Sequence, residues 1–188
     1  MENDFENKLK ALVNGQLPDD QVKELIRLPA KDADRFWTYL QVLQDRVSWT
    51  NTILLRVSEH LYIVRKGTIE RIVKCDCGQE FGDYRINWKL SSLISVRKTP
   101  EELEEVYNAR IMPNPDHLEV REFYCPGCMV QLGVEVAPHG YPIVFELLPD
   151  LDSLYRDWLG RPLSDESSEW FQDLSWKRTA EWVGEPLP

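Results

Sequence analysis

The sequence predicts an α+β fold, with an antiparallel β core between an N-terminal helical arm and C-terminal helices. Three observations carry this prediction. Apolar residues recur at helical spacing to about residue 50, run in β-like segments from 52 to 147, and return to helical spacing after 149. Two tight cysteine pairs, Cys75–Cys77 and Cys125–Cys128, each directly follow a β-like run. Turn residues and a capped helix start separate the β-like runs between them. The chain therefore divides into an arm over 1–50, a β domain with an inserted helix over 51–148, and a helical segment over 149–188.

The arm reads as short helices. Phe5, Leu9, Leu12 and Val13 share one face, and Gly15 follows as a stop. Asp19 or Asp20 caps a second helix with Val22, Leu25 and Ile26, ending at Leu28-Pro29. A third starts near Asp32 or Asp34 and carries Phe36, Trp37, Leu40, Leu43 and Val47. Such short helices cannot make a core alone; they either pack on the domain that follows or lie along another protein, and the favoured expectation is an arm that docks on a partner. From Thr52 the pattern changes to strands at 53–57, 60–65 and 68–74, with Lys66-Gly67 as the turn. A turn over residues 79 onward leads to a strand over 93–96. Thr99-Pro100-Glu101-Glu102 then opens a helix with a Thr cap, an early Pro and a Glu at the third position, burying Leu103, Val106 and Tyr107. Strands follow at 118–124, 129–136 and 142–147. Asp150 or Asp152 caps a helix with Leu154, Tyr155, Trp158 and Leu159. The tail from Asp165 reads as an acidic amphipathic helix around Trp170, Phe171, Leu174 and Trp182, ending at Gly184-Glu185-Pro186.

The cysteine loops carry the chemistry. Two sulfurs from one turn and two from another can meet at tetrahedral corners, the pattern of a four-thiolate zinc site built on a zinc-ribbon-like core. The candidate ligands are Cys75, Cys77, Cys125 and Cys128. Gly78 and Gly127 give the two turns conformational freedom, and Pro126 pre-sets one φ. Backbone amides near these glycines can point at the thiolates. Iron in a rubredoxin-like site uses the same ligands and stays open, as do structural disulfides and a redox dithiol. The residues after Cys128 alternate like a strand, which disfavours a redox pair at a helix N-terminus. A site closed by four sulfurs leaves no position for water and is structural rather than catalytic. Arg71 and Lys74 approach the first loop; they either balance the thiolate charge or lie on a solvated strand face.

Composition narrows the function. The net charge of −10 argues against a nucleic-acid partner. No run of about 18 apolar residues predicts a membrane span. The acidic start, without an apolar stretch behind it, predicts a reducing, cytoplasmic location. Seven tryptophans suggest that some are covered by a partner, and those of the tail, which buries little locally, are the best candidates. No phosphate loop, nucleophile elbow or paired acid–base constellation is present. His60, His117 and His139 read as ordinary surface or core residues, not ligands. From the residues alone, this is a zinc-binding domain suited to assembly, with an independent adaptor as the alternative to an enzyme subunit. A zinc hydrolase would need an open metal position.

Several segments also resemble a known family. The blocks Arg35–Trp49, Val73–Gly78, Phe81–Ser91, Val96–Pro100, Arg121–Cys128 and Tyr155–Pro162 resemble, in order, the small gamma subunit of bacterial acetone carboxylase. The likeness covers residues 5 to 165, and the tail from about Asp165 runs beyond it. The Asn87-Trp88-Lys89-Leu90-Ser91 segment and Trp158-Leu159-Gly160 are its most specific parts. This resemblance implies a non-catalytic subunit of a heteromeric, ATP-dependent ligase. Its two larger hydantoinase-like subunits, alpha and beta, carry ATP and Mn²⁺ with Mg²⁺. The complex would convert a ketone and bicarbonate to a 3-oxo acid such as acetoacetate. The resemblance also makes the four cysteines the Zn²⁺ ligands.

Overall fold

A computed structural model of the chain describes residues 2–28 and 33–183. Three helices come first: α1 (Glu2–Val13), α2 (Asp19–Arg27) and α3 (Arg35–Gln44). The start of the third helix at Asp32 and the tail end at Gly184–Pro186 lie outside the described residues. An antiparallel sheet follows in the order β1 (Thr52–Arg56), β2 (Leu61–Lys66), β3 (Glu70–Cys75), β4 (Glu80–Asp83). A second antiparallel sheet holds β5 (Leu93–Arg97), β6 (Leu118–Tyr124) and β7 (Gln131–Pro138). Between β5 and β6 lies α4 (Pro100–Glu104), which opens with a full capping box at Thr99 and Glu102. The expected α+β class, with antiparallel sheets between N- and C-terminal helices, is what the chain adopts.

Both faces of the first sheet are covered, which explains why β2 reads as a continuous apolar run. On one face Tyr62 and Val64 pack with Ile53, Ile72, Leu40 and Leu43. On the other, Leu61 and Ile63 join Leu54, Val73, Phe81, Tyr84, Leu132, Leu151 and Tyr155. The helix α3 is therefore part of the core, where the sequence suggested an arm reaching outward. Its Leu40–Leu43 stripe covers an apolar face that would otherwise meet water. Val13 of α1 packs against the same cluster, whereas α2 has no buried residue.

Trp88 joins the sheets. It sits in a 3₁₀ turn over Trp88–Ser91 and meets Phe81 of β4 and Phe123 of β6 edge to face, with centroids 6.3 and 5.9 Å apart. Such contacts add to the apolar burial itself.

Four local expectations change. Residues 142–147 form no strand among the described residues; Pro138 and Pro142 lack the amide hydrogens that would continue a ladder beside β7. Val106 is half-exposed because α4 ends before it. The helix after Asp150 runs one α-turn, α5 (Leu151–Ser153), and then widens into a π-turn over Leu154–Trp158. The extra residue turns Tyr155 inward, where its hydroxyl donates to the Leu54 carbonyl at 2.8 Å. The same turn leaves Trp158 84% exposed. The tail is not one helix from Asp165: a 3₁₀ turn over Ser168–Trp170 precedes α6 (Ser175–Val183). Trp170 causes the break. Its ring lies over the guanidiniums of Arg71 and Arg85, at 4.5 and 4.6 Å, and its carbonyl accepts from the Tyr84 hydroxyl at 2.9 Å. It is used inside the chain, not held for a partner.

Tyr155 gives a first test. Burial pushes its hydroxyl up to about 12. A raised folded pKa means that the neutral phenol is favoured by folding. This contribution is complete below about pH 10 and is lost as pH climbs through 12. Tyr155→Phe is expected to cost about 1 kcal/mol at neutral pH. It should also reduce the alkaline loss of stability, as measured by chemical denaturation across pH.

Candidate metal centre

The first knuckle begins at the end of β3. Cys75 is the last residue of that strand, and its amide donates to the Gln79 carbonyl at 2.9 Å. The Gly78 amide closes the turn on the Cys75 carbonyl at 2.9 Å. Gly78 has φ of +96°, a conformation that costs an L-residue strain. A Cβ there would also lie 3.5 Å from Trp49. Gly78→Ala is expected to destabilise the chain by about 1–2 kcal/mol, read as a lowered urea midpoint at unchanged slope.

The second knuckle follows β6. Here Cys125 donates its amide to the Val130 carbonyl at 2.9 Å, and the Met129 amide returns to the Cys125 carbonyl at 2.8 Å. The left-handed residue of this loop is Met129, with φ of +62°, not Gly127. Gly127 answers a different need, close approach. A Cβ on it would lie 3.1 Å from the Gln79 Cβ and 3.3 Å from the Cys77 sulfur. The glycine of one knuckle thus makes room for the sulfur of the other.

All four sulfurs lie within 4.8 Å of one another. Cys75 and Cys128 are 3.9 Å apart, and Cys77 and Cys125 are 3.7 Å apart. A tetrahedron of metal–sulfur bonds of about 2.3 Å has edges of about 3.8 Å. A disulfide would instead bring two sulfurs to about 2.05 Å, and all four cysteines are free. The donor set fits a metal ion, and among the described residues no histidine or carboxylate belongs to the cluster. The sequence prediction thus names the residues that the fold brings together.

Cys75 and Cys125 are buried, while Cys77 and Cys128 face solvent. Burial pushes the Cys75 and Cys125 thiols up. Burial also opposes ionisation of Cys77, but the Gln79 amide and the neighbouring thiols outweigh it and hold that group below the ordinary thiol value. The amides of Gly127 and Cys128 likewise favour the Cys125 thiolate. This is the expected role of the loop amides.

Two supports were not legible locally. The Trp49 indole donates to the carbonyls of Cys75 and Asp76, at 3.2 and 3.1 Å. His60 Nδ1 lies 2.6 Å from Asp76 Oδ2, and the Asp76 amide donates to the His60 carbonyl at 3.1 Å. His60 is no ligand, but it holds the residue between two candidate ligands. His139 lies in the turn after β7, 2.9 Å from the Pro115 carbonyl. Arg71 and Lys74 follow neither sequence reading. Lys74 reaches Asn51 at 2.8 Å, and Arg71 donates to Asp152 and Asp165 at 2.6 and 2.9 Å.

Comparison with known proteins agrees with this geometry. The family model described as acetone carboxylase gamma subunit matches residues 47–159, a span that contains both knuckles. The acetone carboxylase gamma subunit of Xanthobacter autotrophicus is 35% identical over 86% of this chain and 96% of its own length. The acetophenone carboxylase beta subunit of Aromatoleum aromaticum is 37% identical over 42% of this chain and 63% of its own.

Proposed function

The chain belongs to the acetone carboxylase gamma subunit family, and on that premise we propose that it is the zinc-binding structural subunit of a heteromeric ketone carboxylase. The observation carrying this reading is the sulfur cluster, whose edges of 3.7 and 3.9 Å suit Zn²⁺ held by Cys75, Cys77, Cys125 and Cys128. Four thiolates fill the coordination sphere, so the ion supplies cross-linking and no reactive water. The chain's own residues shape and brace that site: Trp49 and His60 from one side, Gly127 by leaving room.

Catalysis then belongs to two larger hydantoinase-like subunits, alpha and beta, with ATP and Mn²⁺. There ketone and bicarbonate combine to give a 3-oxo acid such as acetoacetate, in the cytoplasm. The acidic charge of −10 suits a protein partner rather than nucleic acid. The exposed Trp158 is an apt anchor for such a partner, because exposed aromatics of this size often mark interfaces. Among the described residues no helix is long and apolar enough to cross a membrane.

Purification from the native host tests the proposal. The chain is expected to elute with two larger polypeptides and to carry about one zinc ion per copy. Alone, it should turn over neither ATP nor ketone. Elution as an isolated small protein would favour an adaptor instead.

A further inference from the structure

A second feature lies away from the cysteines, where the β1–β2 loop, the Trp88 turn, β7 and residues 145–147 converge. They enclose a cavity of about 190 Å³. One water occupies about 30 Å³ of liquid, so this space exceeds that of a single bound water several-fold. Trp88, Leu132 and Phe145 give it apolar walls.

Two lining residues have buried polar atoms without a partner among the described residues: the Asn87 side-chain Nδ2 and the Ser58 hydroxyl. Asn87 is only 1% exposed. Its Oδ1 is occupied, accepting from the Lys89 amide at 3.1 Å, so the free group is a donor. Leaving a buried donor unmade is costly, about 1–3 kcal/mol. The charged wall residues, Lys89 and Glu146, are paired with each other. The Lys89 ammonium contacts Glu135 and Glu146 at 2.7 and 2.8 Å, and Glu135 also accepts from Arg121 at 3.1 Å.

These facts select a ligand class. The wall offers an anion no unpaired cation, and Glu146 adds a carboxylate to it, which disfavours bicarbonate and carboxylates. The free Asn87 amide needs an acceptor, which a simple cation does not provide. An apolar body with one neutral acceptor fits both walls and donors. We propose that this cavity binds a small uncharged ketone, with the Asn87 amide and the Ser58 hydroxyl available to its carbonyl oxygen and its apolar substituent against Trp88 and Phe145. The choice of ketone among neutral carbonyl compounds rests on the functional reading above, since relatives are named for acetone and acetophenone.

The test uses the full-length, zinc-loaded chain and ligand-observed NMR titration with acetophenone, with benzoate as the anionic analogue of similar shape. Saturable binding of acetophenone, and none of benzoate, is expected. Asn87→Asp keeps the oxygen that caps the 3₁₀ turn but removes the donor, and Ser58→Ala removes the hydroxyl alone. Each should weaken acetophenone binding roughly three- to tenfold. Absent saturation, equal binding of benzoate, or unchanged affinity in both variants would overturn the proposal. So would crystals soaked in acetophenone that show only water in the cavity. Co-purification is scored separately on the same preparations. A chain that joins the larger subunits but binds no ketone loses this inference alone, whereas one that binds ketone but purifies unaccompanied loses the subunit reading.

Discussion

A chain carrying Cys75→Ser and Cys125→Ser together is expected to lose its zinc, its folded β domain and its place in any larger complex. Both sulfurs are buried, and each knuckle contributes one of them. Structural zinc sites bind with about 10–16 kcal/mol of free energy that is coupled to folding. Whole domains are stable by only about 5–15 kcal/mol, so forfeiting even half of that coupling is decisive. Native mass spectrometry should show no metal, and the thermal midpoint should fall by more than about 10 °C. Serine in a buried site carries its own penalty, so a chelator on the unaltered chain is the control. An unchanged melting curve after complete metal removal would end the structural reading. So would a fully active, zinc-free complex assembled around the double variant.

Arg71→Ala ranks next. Arg71 is 1% exposed and holds two acids from distant segments. Its guanidinium donates to Asp152 at 2.6 Å and to Asp165 at 2.9 Å, while Arg65 also donates to Asp165 at 2.6 Å. Removing the central cation leaves Asp152 without its charged partner and Asp165 with Arg65 alone. Breaking a buried pair in this way costs about 3–5 kcal/mol. At about 2–4 °C per kcal/mol, the midpoint should drop by about 6–20 °C. Arg71→Met combined with Asp152→Asn and Asp165→Asn should recover part of that loss, because no unpaired charge is then left at the centre of the network. Equal melting of Arg71→Ala and the unaltered chain would show that the network contributes nothing.

The cysteine loops were legible because their geometry is local: two sulfurs per turn, a strand leading in, a glycine nearby. The capping box at Thr99 was legible for the same reason. Burial of charge was not. In β6, Glu119, Arg121 and Glu122 are all buried, though an alternating charged strand reads as solvent-facing. Arg121 donates to Glu119 within the strand at 2.7 Å, but the other partners lie outside it: Lys98 and His139 near Glu119, Glu135 near Arg121, and Arg97 at 2.8 Å from Glu122. A sequence window cannot contain such pairs. The same holds for Trp170, which the tail pattern offered to a partner and which the fold places over Arg71. The strand β4 was missed because four residues around Gly82, at φ of +90°, carry too little alternation to register. Within the second knuckle, Gly127 was noticed for the wrong property. Only the neighbouring Cys77 sulfur reveals that space, not dihedral freedom, is what that position needs.

The cluster gathers sulfurs from turns that close different sheets. The strands β3 and β4 flank one pair, and β6 and β7 flank the other. The first sheet and the β6–β7 pair can form early, as hairpins do, on contacts that are near neighbours along the chain. If the cluster holds zinc as proposed, locking them together would span about fifty residues and wait on an ion arriving from outside. The speed at which a newly made chain matures would therefore follow the cell's supply of free zinc rather than any property written in the polypeptide.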